Sequence, residues 1–265
     1  MTLLRAFSTL GCPERSLEET LALARRHGIG AVELRALGGT ADIPAHLREV
    51  YGSPGKLADR LRGEPVRIVS LDTSFALAGH TPADRESFLA FIPWAEGLGV
   101  PWLRVFDGRA SGPGTAAGEA AESVRWWREL RARNGWRSDL IVETHDALTN
   151  TRSILAFAKL APEAGILWDT HHTWRMGEDP VATWRAIRSS VVHIHVKDSV
   201  SRPGGKPPYT YVLPGEGEFP IAPLLAALEA DRFFGAVSLE WERMWHRELP
   251  PLEEALSAAA RKRWW

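Results

Sequence analysis

Short apolar runs alternate with amphipathic stretches from one end of the chain to the other, and that rhythm leaves few folds open. The runs read as strands over residues 3–8, 31–35, 66–71, 102–106, 140–143, 166–169, 191–196 and 237–241. Helix signals fall between them. Ser16-Leu17-Glu18-Glu19 has the form of a capping box, and Thr81-Pro82 and Asp179-Pro180 each pair a capping side chain with proline at the first helical position. Further helices are expected over about residues 115–133, 152–160, 222–230 and 250–263. Residues 38–54 read as a longer insertion before the second helix, and residues 198–218 as a Gly/Pro-rich loop. Strictly alternating strand and helix implies a parallel sheet. Eight of each, in 265 residues, implies an α/β (β/α)₈ TIM barrel occupying residues 1–265 as one domain. A doubly wound open sheet would alternate too. However, the first strand leads into Thr9-Leu10-Gly11-Cys12-Pro13, without the Gly-x-Gly-x-x-Gly turn of a dinucleotide fold.

Charge and cysteine content narrow the partners. The formal net charge is −1, so no polyanion such as nucleic acid is expected. The single cysteine, Cys12, excludes an intrachain disulfide and a cysteine-based zinc site, and a reduced, cytoplasmic setting follows as the default. No apolar run reaches the length of a membrane span, and residues 1–11 are too short and polar for a signal peptide.

In such a barrel, chemistry gathers at the C-terminal ends of the strands. The last four runs end Ile141-Val142-Glu143-Thr144-His145, Leu167-Trp168-Asp169-Thr170-His171-His172, His193-Ile194-His195-Val196-Lys197 and Ser238-Leu239-Glu240-Trp241-Glu242. Steps of 26 residues separate Glu143, Asp169 and His195, which predicts matching heights on neighbouring strands. Side chains two apart share a face. Glu143 and His145, His193, His195 and Lys197, and Ser238, Glu240 and Glu242 therefore point into the barrel, with the apolar residues between them facing the helices. One carboxylate at a strand end is commonly a cap or an ion-pair partner. Three at one mouth repel each other unless a cation joins them. Three oxygen donors and one imidazole at Glu143, Asp169, His195 and Glu240 suit one divalent ion, Mn²⁺ or Mg²⁺ first, Co²⁺ or Zn²⁺ also. His193 reads as a buried, hydrogen-bonded core histidine.

These segments, with Ala31-Val32-Glu33-Leu34-Arg35 and Pro214-Gly215-Glu216-Gly217, resemble the xylose-isomerase-like barrel superfamily, especially its sugar (phosphate) isomerase/epimerase branch, over nearly the whole chain. The resemblance implies a Glu-Asp-His-Glu metal site, with Glu143 and Glu240 doubling as acid/base groups and His172 touching substrate. The superfamily also contains endonuclease IV, a DNA repair enzyme with three zinc ions. That branch is not matched here. Its Asp-Arg-His triplet is replaced by Tyr209-Thr210-Tyr211, and the strand ends Leu71-Asp72-Thr73 and Phe106-Asp107-Gly108 contain no histidine. Ketose 3-epimerases carry a second glutamate six residues after the first. Thr149-Asn150 stands there instead, and Glu-Thr-His-Asp looks more like the inosose-dehydratase and sugar phosphate isomerase side.

The reaction this implies is isomerisation or epimerisation of a sugar or cyclitol through a metal-stabilised enediolate, with dehydration of a keto sugar as the alternative outcome. A non-catalytic sugar-binding barrel is the alternative of another class. His145, His172 and Lys197 are candidates for gripping or protonating substrate oxygens. Arg35 and Arg104 could bind a carboxylate or phosphate, or form structural ion pairs. His171, Asp198 and Glu242 are candidate orienters of the ligands. Trp174, Trp241 and Trp245 could wall the pocket, although packing is the commoner role for any tryptophan. Arg202, Lys206 and Tyr209 could form a lid. A homo-dimer or tetramer is compatible with the resemblance.

Overall fold

In a computed structural model, which describes residues 3–110, 116–201 and 209–264, eight parallel strands close into one barrel. They are β1 (Leu4–Ser8), β2 (Ala31–Leu34), β3 (Arg67–Ala78), β4 (Trp102–Gly108), β5 (Asp139–Glu143), β6 (Gly165–Asp169), β7 (Val191–Val196) and β10 (Ala236–Leu239). Closure is made by β1, which pairs with β2 on one side and β10 on the other. Between β7 and β10, a small antiparallel hairpin of β8 (Ser199–Val200) and β9 (Thr210–Tyr211) rises from the loop expected to be irregular. Arg202 and Lys206 of the expected lid lie outside the described residues.

The helices wrap the outside: α1 (Leu17–Arg26), α2 (Ile43–Tyr51), α3 (Pro54–Arg60), α4 (Pro82–Leu89), α5 (Ile92–Leu98), α6 (Ala116–Asn134), α7 (Thr151–Leu160), α8 (Thr170–Arg175), α9 (Pro180–Ile187), α10 (Ile221–Ala230) and α11 (Leu252–Arg261). Local chemistry sets their starts. Ser16 and Glu19 form the reciprocal capping box expected, as do Thr81 and Asp84, and Asp179 accepts from the Ala182 amide ahead of Pro180. The insertion expected over 38–54 is itself largely helical. Asp42 caps α2, Pro44 sits in its first turn, and Ile43 and Leu47 bury its inner face. Among the described residues, no helix is long and apolar enough to cross a membrane.

Two apolar layers hold the barrel. The larger lies between strands and helices and includes Val142, Ile194, Val196, Val237 and Leu239, the outward residues of the expected alternation. Inside, Ala6, Ala31, Val69 and Ala236 plug the N-terminal end. Small side chains fit there because opposite strands converge on the axis. Above the plug the interior turns polar. Glu33, Ser70, Asp72, His193 and Ser238 are all buried, and a buried polar layer must satisfy itself with hydrogen bonds or charge partners. The functional mouth sits on that layer.

Candidate metal centre

Four strands deliver to one point four side chains of the kind that can ligate a metal. Glu143 ends β5, Asp169 ends β6, His195 lies in β7, and Glu240 follows β10 directly with its amide bonded to Val196 O at 3.1 Å. One donor atom from each lies within 4.8 Å of the others, and all four residues are buried. The equal sequence spacing maps unevenly onto the register. Asp169 pairs with His195 as expected, but Glu143 pairs with Leu167, two residues short of Asp169. Barrel shear accounts for the offset: neighbouring strands are staggered, and side chains of different register meet at the same height.

Each ligand is oriented by a bond made with its other end. Asp169 caps α8, its Oδ1 accepting from the amides of His171 at 2.9 Å and His172 at 3.2 Å, which leaves Oδ2 for the mouth. His195 Nε2 donates to Glu33 Oε2 at 2.9 Å, and His193 Nε2 donates to Glu33 Oε1. A carboxylate can only accept, so both rings carry hydrogen on Nε2 and His195 presents Nδ1 to Glu143 and Glu240, at 3.7 and 3.4 Å. Glu33 and the two histidines also form a compact cluster, but its Nε2 atoms are spent on these hydrogen bonds. Glu143 Oε2, Asp169 Oδ2 and His195 Nδ1 are buried and make no well-aligned hydrogen bond, although Arg104 and Lys197 lie in ion-pair range of the two oxygens. Buried carboxylate and imidazole atoms converging on one point are a donor set that a cation could join.

Positive side chains surround the cluster. Lys197, 1% exposed, places Nζ 2.8 Å from Asp169 Oδ2 and 2.7 Å from Glu242 Oε1, and also contacts Glu240. Arg104 Nε lies 3.2 Å from Glu143 Oε2, and its guanidinium stacks 4.1 Å over Phe106. Burial pushes the Glu143 and Glu240 carboxyls up, but Arg104 for the first and Lys197 with His195 for the second bring them below their ordinary range. Both are charged near neutrality. Burial lowers His195 and Lys197, yet Glu33 and Glu240 hold the imidazole, and Asp169 and Glu240 the ammonium, well above their usual values. Asp72 behaves differently. Burial and the nearby Glu33 raise its carboxyl to about 6.

The remaining expected residues divide. His145 and His172 meet edge to face at the mouth, ring centres 4.9 Å apart. His172 Nδ1 donates to Thr144 O at 2.8 Å and turns Nε2 toward Asp169 Oδ2, 3.7 Å away. Arg35, Arg104, His145, Lys197 and Trp245 line one cavity of about 90 Å³ with Glu143 and Glu240. Trp241 points away, donating to Pro250 O at 2.8 Å, and Trp174 packs edge-on against Phe219, so both are packing residues. His171 is buried, bonds Ser199 Oγ at 2.8 Å, and is driven down to about 3 by burial and then by Lys197. It supports the β8–β9 hairpin beside Tyr209 and Tyr211. Glu242 steadies Lys197 and accepts from Tyr211 OH at 2.7 Å.

Two buried carboxylates pin the loops. Asp198 accepts from the amides of Ser199, Gly215, Gly217 and Phe219, fixing the Gly-Glu-Gly turn. A Cβ at Gly217 would fall 2.1 Å from Asp198 Oδ1, so only glycine allows this approach. Asp107 accepts from the amides of Gly108 and of each residue from His145 to Leu148, which holds the loop bearing His145. Sequence reasoning assigned no role to Glu33, Asp72 or Asp107. Only Asp107 left a local trace, as a carboxylate just before a glycine at a strand end.

Fold and site together define a class: a (β/α)₈ barrel with a buried carboxylate–imidazole cluster, able to hold a metal ion, at the C-terminal ends of its strands. The chain belongs to the xylose isomerase-like TIM barrel family, whose model matches residues 21–264. Compared with curated protein sequences, the chain matches none. Among solved structures it is similar to the probable 3-DHS dehydratase AsbF of Bacillus anthracis (18% identity, TM-score 0.76, 97% of this chain and 98% of that one). It is similar also to the IolI protein with a bound zinc atom (17%, 0.77, 98% and 96%). A third is the 3-keto-D-glucoside 4-epimerase YcjR of E. coli (12%, 0.71, 99% and 99%). At these identities the likeness is one of fold.

Proposed function

We propose that this chain is a divalent-metal-dependent isomerase or epimerase of a sugar or sugar derivative, with Glu143 and Glu240 as its acid/base pair. The observation that carries the reading is the convergence of Glu143, Asp169, His195 and Glu240 on one buried point. Family membership supports it, and so do neighbours described as a keto-glucoside epimerase, a D-psicose 3-epimerase and a dehydratase. Mn²⁺ or Mg²⁺ fits the three-oxygen, one-nitrogen donor set, and Zn²⁺ remains compatible with it. When bound, the ion would polarise a substrate carbonyl and stabilise negative charge on its oxygen.

The residues of the chain supply the proton chemistry. Glu143 and Glu240 stand on strands separated by β6 and β7, so they flank a substrate from two sides. Both are charged, so either can accept the proton from the carbon next to the carbonyl. The carboxyl so formed returns that proton to the neighbouring carbon in an isomerisation, whereas an epimerisation needs the opposite carboxyl to carry a proton of its own before it can deliver one to the other face. Lys197 stays an ammonium, held by Asp169, Glu240 and Glu242, and keeps a positive charge beside the acid/base pair. His172 and His145 cover the mouth. A second reading is dehydration. Its support is His145: burial lowers this imidazole, but Glu143 and Asp146 hold it above its ordinary value, and an imidazolium at the mouth can protonate a leaving hydroxyl.

The test joins metal analysis with exchange. About one divalent ion per chain is expected, chelation should abolish turnover, and a bound keto sugar should take up solvent deuterium next to its carbonyl. A chain that binds keto sugars without exchange is the non-catalytic barrel. Protein that holds no metal and ignores chelators overturns the reading.

A further inference from the structure

Three cations face the mouth, and two have their charge answered. Lys197 is surrounded by Asp169, Glu240 and Glu242, and Arg104 lies against Glu143. Arg35 is the exception. It follows β2, is 6% exposed, and lines the same cavity as Glu143, Lys197 and Glu240. Its Nη2 donates to the neutral Ser74 Oγ at 3.1 Å, its Nη1 is buried with no partner, and among the described residues it makes no ion pair. Burial and the like charge of Arg104 lower its pKa to about 10, which still leaves it cationic near neutrality. A buried guanidinium nitrogen left without an acceptor is costly, and a planar donor fork is matched by a carboxylate or phosphate.

We propose that the substrate is anionic and that Arg35 receives its carboxylate or phosphate, while the polyol end faces Glu143 and Glu240 across the cavity. This rests on the metal-dependent reading above and narrows its substrate class.

Calorimetric titration of the metal-loaded protein with D-glucose, D-glucuronate and D-glucose 6-phosphate tests this. At least one anionic probe should bind at least about tenfold more tightly than glucose. Preference for glucuronate identifies a sugar acid, and preference for the phosphate a sugar phosphate. Arg35→Met should erase the preference while leaving the metal content and the glucose affinity unchanged. Arg35→Lys keeps the charge but not the fork, so it should retain only part of the preference, and it stands in should Arg35→Met not fold. Equal binding of all three probes, no binding by either anion, or a preference undiminished in these variants overturns the proposal. Metal content is measured on the same samples. Anion preference in a chain that holds no metal would support the Arg35 subsite and sink the metal reading instead.

Discussion

The two arcs of the barrel mouth solve the burial of charge in opposite ways. The arc of β5, β6, β7 and β10 concentrates carboxylates whose donor atoms converge with His195 on one point, and it balances their charge with Lys197 and, from β4, Arg104. The arc of β1 to β4 buries arginines above the acids Glu33 and Asp72. On the proposed reading, one arc takes a cation and the other offers Arg35 to an anion. A polyol bound between them would be held at one end by ligated oxygens and at the other by charge. The arcs are not independent. Glu33, from β2, fixes the ring of His195 on β7, and Arg104, from β4, lies against Glu143 on β5.

The sharpest way to break this division is to remove charge from the carboxylate arc. Glu240→Gln should lower turnover by about 10³-fold or more with the circular dichroism spectrum unchanged, because a neutral amide can neither take a proton nor match the lost charge. A variant retaining a tenth of the activity would remove Glu240 from the acid/base pair. Next in size is the loop clamp beside the arc. Asp107→Ala strands several backbone amides, so thermal unfolding should report a loss of about 2–3 kcal/mol. An unchanged melting temperature would show those amides satisfied by water instead.

Glu33→Gln probes the link between arcs. It keeps an acceptor but loses the charge that orients both histidines, and metal affinity should fall about 10- to 100-fold. Affinity equal to that of the parent chain would confine the site to its own arc. The pH dependence follows from the same pair. His195 must lose its Nδ1 proton to ligate, and Glu33 helps hold its pKa well above 6.5 despite burial. Metal binding should therefore strengthen as pH rises toward that raised pKa, by at most about tenfold per unit for one proton, and level off above it. Binding that is flat through neutrality would mean His195 is already neutral. The smallest effect is expected at Trp245, more than half exposed at the rim. Its replacement by alanine should alter KM a few-fold with little change in kcat, whereas a collapse of kcat would make it part of the chemistry.

The carboxylate arc was legible in the sequence because each of its residues ends an apolar run, and strand alternation then fixes which way it points. The helix starts at Ser16, Thr81 and Asp179 were legible for a similar reason, since a cap acts on amides two or three residues away. The other arc was not. Glu33 sits inside a strand and meets partners 160 and 162 residues away, a pairing that no local pattern encodes. β3 was expected to end at Leu71 but runs to Ala78, past a register shift against β4 between Asp72 and Ala76, and this extension carries Ser74 to Arg35. α2 was hidden in a segment of 38–54 that opens with glycines, although Asp42 and Pro44 mark its start.

The sequence by itself determined the succession of strands and helices, the barrel, and the four residues whose strand positions face its mouth. Periodicity and capping act over a few residues, so they can be read along the chain. Only the tertiary structure decided the stagger that brings Glu143 level with Asp169, the buried Glu33 that aims His195, and the place of Arg35, which among the described residues makes no ion pair. Those depend on barrel shear and on which charges meet across the axis, and both are properties of the closed sheet rather than of any one strand.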